Sequence, residues 1–299
     1  MAASVAVVIG NHQGERLLPD CLASLRAQTR PPAEVIVADG ASTDGSVAVA
    51  EREGARVLRC PNAGLGFLYN RGAEAAAATL VLFLNNDVAL DPGCVEALAA
   101  ALEDDPARFA ADARQLDWEG RGLVHGRTTL RRGRLWGEYL PGLHLDPLAP
   151  SDGTAVTVCA NGAAMLVRRD RHLELGGFDE TFFLEWEDLD LCWRAWLRGW
   201  PTVFVPEARV RHRVGAATAP GARARRSASS HHNLVRFALK CLPPAAAARV
   251  VAGELLRLPR HPRAVAPGLA AAAREAPEIV RLRRSLRPSA RVFDELLSA

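Results

Sequence analysis

An apolar run, 80–84, stops abruptly at Asn85, Asn86 and Asp87. Too short to cross a membrane, the stretch 80–88 reads as a buried parallel strand, and a carboxylate at its C-terminal end lies where open α/β sheets bind ligands. A hard divalent cation there would take oxygen ligands and keep positions free for phosphate oxygens. The same three residues also suit a plain turn, through local hydrogen bonds. A second carboxylate, Asp39, follows the strand-like 34–38 and precedes the small, turn-rich Gly40-Ala41-Ser42-Thr43-Asp44-Gly45-Ser46. A third acidic group, Glu187-Asp188, stands just ahead of Leu189, Cys192, Trp193 and Trp196, whose spacing is helical. The helix macrodipole keeps carboxylates in such a first turn ionised, as a general base requires; capping is the competing use.

Bringing the first two carboxylates to one edge requires parallel strands. Residues 4–9 read as a first strand, followed by a polar turn at 10–14 and a helix carrying Leu17, Leu18, Cys21, Leu22 and Leu25 that ends before Pro31 and Pro32. A strand at 34–38, a helix to about Glu53, a strand at 55–60 and a helix at 67–78 lead into the strand at 80. Such alternation implies a parallel, nucleotide-binding type of sheet, on which Asp39 and Asp87 face one ligand. Further on, Asp91-Pro92 opens a helix to about Glu103, and a strand lies near 108–115. Residues 117–152 are rich in Gly, Arg and aromatics without a period, and loops of this kind carry specificity. The β-prone 157–167 is interrupted by Asn161-Gly162-Ala163-Ala164, whose small side chains allow close approach. A strand at 202–206 runs on to Val210-Arg211-His212-Arg213, and helices are predicted at 245–258 and 269–286, the second broken near Pro277.

With 299 residues the chain can bury a full core, and 49% hydrophobic with 24% charged residues is the balance of a folded protein. A net charge of +3 identifies no partner, but arginines concentrate at 209–226 and 281–291, where they can meet phosphates or anionic lipid, stay solvated, or reflect a biased genome. The cysteines, Cys21, Cys60, Cys94, Cys159, Cys192 and Cys241, form no C-x-x-C pair, which argues against zinc and disulfides and for a reducing compartment. No signal peptide or membrane-spanning stretch is read, so a cytoplasmic location is expected.

The segments Val35 to Ser46, Asn62-Ala63-Gly64 with Asn70-Arg71-Gly72, and Leu82 to Asp87 together resemble the family 2 glycosyltransferases of GT-A fold, in the bacterial rhamnosyltransferase-like subgroup. The resemblance runs over residues 4–240, weakly across 116–154. It implies an α/β, Rossmann-like, mostly parallel sheet flanked by helices. The implied domain covers 1–240, with a nucleotide-binding half at 1–115 and an acceptor and catalytic half at 116–240; a basic helical extension follows at 241–299. By position in the family's motifs, Asp39 would contact the nucleotide base, Asp87 would hold a divalent metal under the diphosphate, and His212 would complete the metal site. Imidazole suits Mn2+ better than Mg2+, and both stay open. Asn85 stands where the family often has an aspartate. Gly10-Asn11-His12 replaces its usual Pro-Thr-Tyr-Asn turn. Gly10, Asn11, Ser42, Asn70, Asn85, Asn86 and Gly162 are assigned to the donor, and His12 is either a ligand contact or a surface residue. Trp186-Glu187-Asp188-Leu189-Asp190-Leu191 matches the E-D-x-D-L motif, which makes Asp188 the general base and Glu187 an orienting group, with Asp190 paired to Arg194 at i,i+4. Trp186 is placed near a sugar. Trp118, Trp136 and Tyr139 either stack on a sugar or pack under their loop, and Trp136 is named for the acceptor site.

The implied reaction moves a sugar from a nucleotide-diphosphate donor, dTDP-rhamnose or a UDP-sugar, to a hydroxyl of a glycan or lipid-linked acceptor in cell-surface polysaccharide synthesis. One base and no protein nucleophile imply inversion. The C-terminal basic helices have three open roles: contact with the inner face of the cell membrane, packing on the core, or a homodimer. Nucleic acid is not an expected partner. Two other readings compete. Gly14-Glu15-Arg16-Leu17-Leu18-Pro19 echoes sugar-phosphate nucleotidyltransferases without their preceding glycines, and a carbohydrate-binding scaffold subunit would have no need of a base. A dinucleotide fingerprint is reduced to the fragment Gly64-Leu65-Gly66.

Overall fold

The computed structural model describes residues 2–135, 140–215 and 222–298, with the backbone alone at 222–228. Strand β1 (Val5–Asn11) is buried along its whole length, as expected of a central parallel strand with both faces covered. It pairs in parallel with β2 (Glu34–Gly40) and β4 (Leu80–Asn85), and β2 pairs in parallel with β3 (Arg56–Cys60). Helices α1 (Leu18–Arg26), α2 (Ser46–Arg52) and α3 (Leu65–Ala75) make the crossovers. Side chains alternate between faces. Val5, Val7 and Ile9 join the layer of α1 and α4 (Cys94–Asp104), whereas Ala6 and Val8 join the layer that holds Tyr69 and Phe178.

The second half completes the sheet in mixed fashion. Strand β6 (Ala110–Asp117) is parallel to β12 (Thr202–His212) and antiparallel to β11 (Ala164–Arg168), which returns antiparallel to β4. The short β5 (Val88–Leu90) pairs with the end of β12, β7 (Leu123–His125) with β6, and β10 (Ala155–Thr157) with β12; the path reads β10-β12-β6-β11-β4-β1-β2-β3. A separate ribbon joins β8 (Arg127–Arg132) to β9 (Leu143–Ala149). The segment read as an aperiodic loop thus carries three strands. The predicted 157–167 strand is two, split at the Asn161–Ala163 loop. The predicted 202–206 strand continues to His212 through a bulge, in which Val205 and Arg209 oppose the consecutive Ala113 and Arg114. Pro206, which cannot donate to a ladder, falls inside that bulge.

Helices α5 (Arg169–Glu174) and α6 (Glu187–Leu197) cover the sheet, followed by α7 (Ala222–Cys241), α8 (Pro244–Arg257), α9 (Pro262–Arg274), α10 (Ala276–Leu286) and α11 (Ala290–Ser298). The helix predicted at 269–286 is two helices that meet at Glu275. Of the three roles left open for this region, packing on the core is the one observed: Phe237, Val250, Phe293 and Leu296 share one apolar cluster with Phe83 and Trp193. The boundary drawn at residue 240 falls inside α7, and that at 115 inside β6. Among the described residues no helix is long and apolar enough to cross a membrane.

Buried charges fasten α7 to the core. Arg236 reaches Asp179 at 3.0 Å, Glu275 at 2.9 Å and Glu278 at 3.1 Å, while Lys240 bridges Asp179 and Asp190, the latter at 2.7 Å. Burial opposes the charge on Asp179, but Lys240 and Arg236 outweigh it and hold the carboxyl well below its usual range. Its stabilising contribution is therefore complete above the unfolded aspartate pKa of about 3.9 and is lost as pH falls toward the lower folded value. Asp179→Asn leaves two buried cations under-compensated and should cost about 3–5 kcal/mol in urea unfolding at neutral pH. A loss below about 1 kcal/mol would show that the network does not hold α7 in place.

Candidate active site

The turn after β4 presents Asn86 and Asp87, and the end of β12 brings His212 beside them, because β5 pairs Val88 with His212. Asp87 Oδ1 lies 3.3 Å from His212 Nε2, is buried, and accepts no hydrogen bond. On the other side of the ring, His212 Nδ1 lies 3.0 Å from Oε1 of Gln115 on β6. The 3.3 Å contact is not aligned as a hydrogen bond, so the carboxylate oxygen that faces the ring has no protein partner. A divalent cation between them would satisfy both, and the Gln115 bond is the outer-sphere contact that orients a ligating histidine. The donor set therefore fits a metal. Among the described residues no third His, Cys, Asp or Glu joins the pair, which leaves the remaining coordination positions to ligand oxygens or water.

Asn11, the last residue of β1, connects this turn to β2. Its Nδ2 donates to Asp39 Oδ1 at 2.8 Å, and its Oδ1 accepts from Asn86 Nδ2 at 2.7 Å. Asp39 also accepts from the Ser42 amide at 2.9 Å and from Ser42 Oγ at 2.6 Å, which holds Ala41 in a left-handed conformation at φ 57°. His12 Nδ1 contacts Gly40 O at 2.7 Å and Gln13 Oε1 accepts from the Thr43 amide, so the 10–15 and 40–46 loops are tied together.

The loop Asn161–Ala163 joins β4 to α6. Its Gly162 amide donates to Asp188 Oδ2 at 3.1 Å, the Ala163 carbonyl accepts from the Asn85 amide, and Tyr69 OH lies 2.9 Å from Gly162 O and 2.8 Å from Asn85 Oδ1. Asp188 is half-buried. Removal from water raises its pKa, although the Gly162 and Leu189 amides and His125 pull the other way. Beneath the loop, the buried Asp112 accepts from the Asn161 amide and lies 3.0 Å from His125 Nε2. Burial opposes a charge on His125, yet Asp112 and then Asp188 raise its pKa. The arrangement gives a carboxylate poised to take a proton beside a cleft edge that can hold a metal and an anion.

Asp39, Asn11, Ser42, Asn85, Asn86, Asp87, Gly162, Asp188 and His212 all converge on this edge. Glu187 lies next to Asp188 in the first turn of α6 and is buried. Three predicted residues serve packing. Gly10 lies under α3, where a Cβ would come within 2.5 Å of Leu65. Asn70 ties α3 to Phe178 and Glu180 through both ends of its amide. Trp186 is buried against Phe237 and donates to Ser230, which leaves no open face for a sugar. Trp136 lies outside the described residues. Tyr69, Asp112, Gln115 and His125 were missed; a carboxylate inside the apolar Ala110-Ala111-Asp112-Ala113 strand was the one legible signal.

Residues 4–169 match the family model described as glycosyl transferase family 2. The chain is 30% identical over 222 residues to the N-acetylglucosaminyl-diphospho-decaprenol L-rhamnosyltransferase of Mycobacterium tuberculosis, a match covering 66% of this chain and 72% of that one. Among solved structures, GalNAc-T7 with UDP, GalNAc and Mn2+ superposes with a TM-score of 0.63 at 18% identity, over 81% of this chain and 48% of that one. The Pyrobaculum calidifontis mannosyltransferase PcManGT with GDP-Man and Mn2+ superposes with 0.56 at 16% identity, over 95% and 79%. At these identities the structures establish the shared GT-A architecture.

Asp188 should titrate above the ordinary aspartate value of about 3.9 in a carboxyl 13C NMR titration. The folded state then keeps this proton to higher pH than the unfolded chain, so the group weakens stability as pH rises between the two values. A midpoint at or below the ordinary value would remove the argument for a tuned base.

Proposed function

The chain belongs to glycosyl transferase family 2, and we propose from the geometry above that it is an inverting, metal-dependent enzyme. It transfers a sugar from a nucleotide-diphosphate donor to a hydroxyl of a glycan or lipid-linked acceptor. The observation that carries this reading is the orphaned Asp87 oxygen opposite His212 Nε2, linked by one short loop to a carboxylate held by Gly162. Asp87 and His212 would hold the cation, which when bound supplies Lewis-acid stabilisation of the leaving diphosphate. The Asn11–Asp39–Ser42 cluster lies where the nucleoside would sit and keeps its loop pre-formed. Asp188 removes the proton from the acceptor hydroxyl as the new bond forms, and its raised pKa makes it a better acceptor of that proton. The Gly162 amide holds Oδ2 and the Leu189 amide, at 2.7 Å, holds Oδ1, so the carboxylate is fixed and takes the proton on a remaining lone pair; with no protein nucleophile assigned, the displacement is single and inverts the anomeric centre.

The mycobacterial relative's name specifies an L-rhamnosyl donor and a diphospho-decaprenol-linked acceptor, which puts dTDP-rhamnose and lipid-diphosphate-linked sugars first among substrates. The UDP of one structural neighbour keeps UDP-sugars second. Such an acceptor suits a cytoplasmic enzyme working at the inner face of the membrane in cell-surface polysaccharide synthesis. The alternative, a carbohydrate-binding scaffold subunit, leaves the held carboxylate of Asp188 without a task.

Calorimetry with dTDP, UDP and GDP, each with Mn2+, Mg2+ or chelator, tests the donor site. One nucleotide should bind in a metal-dependent way, and Asp87→Ala should weaken it by at least about tenfold. Asp188→Asn should keep that binding and lower kcat by about 100- to 10,000-fold. A folded sample that binds none of the nucleotides would overturn the reading in favour of the scaffold.

A further inference from the structure

Helix α6 begins from an unusual backbone. Glu185 and Trp186, both non-glycine, sit in the left-handed region at φ 71° and 73° directly before Glu187 and Asp188. Two successive side-chain-bearing residues rarely adopt this conformation, and it persists only where the surroundings enforce it. The N-cap residue Trp186 makes no side-chain capping bond, and the one first-turn amide held locally is that of Leu189, by Asp188 Oδ1 at 2.7 Å. The enforcing contacts come from α7. Asn233, fully buried, donates through Nδ2 to Leu184 O at 3.0 Å and to Glu185 O at 2.9 Å. Ser230 Oγ receives the Trp186 indole N–H at 3.2 Å, Phe237 stacks on the Trp186 ring, and Lys240 pairs with Asp190 at 2.7 Å. Residues 230, 233, 237 and 240 recur at helical spacing, so one face of α7 grips the whole approach to the base.

The grip is itself braced. With Nδ2 facing two carbonyls, Oδ1 of Asn233 is its remaining polar atom, and His232 Nδ1 lies 2.9 Å from it. His232 Nε2 lies 2.9 Å from Glu275 Oε2, and the same oxygen takes Arg236 at 2.9 Å. His231 is paired with the buried Glu254 of α8 at 2.5 Å. A chain of contacts thus runs from the C-terminal helices through Asn233 to the turn that presents Asp188.

We propose that Asn233 is a positioning residue for the general base, holding Glu185 and Trp186 left-handed so that Asp188 is presented beside the Gly162 loop; this rests on the assignment of Asp188 as base. The C-terminal helical region thereby becomes part of the catalytic apparatus. Hydrogen exchange over peptides covering 184–190 and 80–90, together with steady-state kinetics on the nucleotide sugar selected by calorimetry, tests the proposal. In Asn233→Ala, exchange at 184–190 should accelerate by about tenfold or more while 80–90 is unchanged. The value of kcat should fall by about 10- to 100-fold with KM for the donor held within about twofold. Adding Glu185→Gly, which occupies the left-handed region freely, should recover part of both losses. Should Asn233→Ala not fold, Ser230→Ala is read by the same two measurements, with a smaller effect in the same peptides. Unchanged exchange at 184–190, acceleration spread evenly over the chain, or local acceleration with unchanged kcat would each overturn the proposal. A wild-type enzyme inactive with every nucleotide sugar would instead remove the base assignment, while the exchange data still decide whether α7 sets the turn.

Discussion

Every backbone polar group of the Asn161–Ala163 loop is hydrogen-bonded, four of the six to other elements: β6, α6, α3 and β4. The three amides donate to Asp112 of β6, to Asp188 of α6 and to the loop's own Asn161 Oδ1. The three carbonyls accept from Ala164 N, from Tyr69 of α3 and from Asn85 at the end of β4. A buried backbone group left unpaired costs about as much as a lost hydrogen bond, so each of these partners is constrained by the others. The loop sets the distance between the turn that carries Asp87 and the helix that carries Asp188. It also explains the small residues: Gly162 has its Cβ position 3.8 Å from Asp188, and a larger side chain would project toward the carboxylate.

Around this loop the polar groups fall into two kinds. Asn11, Asp39 and Ser42 are satisfied by one another and make a stiff frame, and Tyr69 is held by Asn85 and Gly162. One buried oxygen of Asp87 is not satisfied by protein, and Asp188 keeps part of its surface exposed. Satisfied networks rigidify, whereas an unsatisfied buried group is costly unless a ligand completes it. The contrast separates a self-satisfied frame from a group that protein atoms leave open. Asp112 and His125 belong to the frame, and His125 favours the ionised form of Asp188, against the burial that raises its pKa.

Much of this was legible in the chain. Buried parallel strands read as unbroken apolar runs, and the carboxylates that follow them, Asp39 and Asp87, lie at one edge of the sheet as the alternation of strands and helices predicts. Helix α6 announced itself by the spacing of Leu189, Cys192 and Trp193. The strands at 123–149 were not legible, because they bury few apolar side chains: in β8 only Thr128 and Leu130 turn inward, among arginines and a threonine that mask the alternation. Asn70 and Trp186 were assigned to ligands by motif position. Their side chains are consumed by loop and helix contacts more than 40 residues away in sequence, which local pattern does not reveal. The same holds for Asn233, whose partners lie at 184 and 185.

The central claim is a single displacement driven by Asp188 without a covalent enzyme intermediate. Proton NMR of the product formed from an accepted nucleotide sugar, read at the new anomeric centre, tests it most directly. The account predicts a glycosidic configuration opposite to that of the donor from the first turnover. A product that retains the donor's configuration would contradict it, since retention requires a second displacement or front-face chemistry that this arrangement of side chains does not supply.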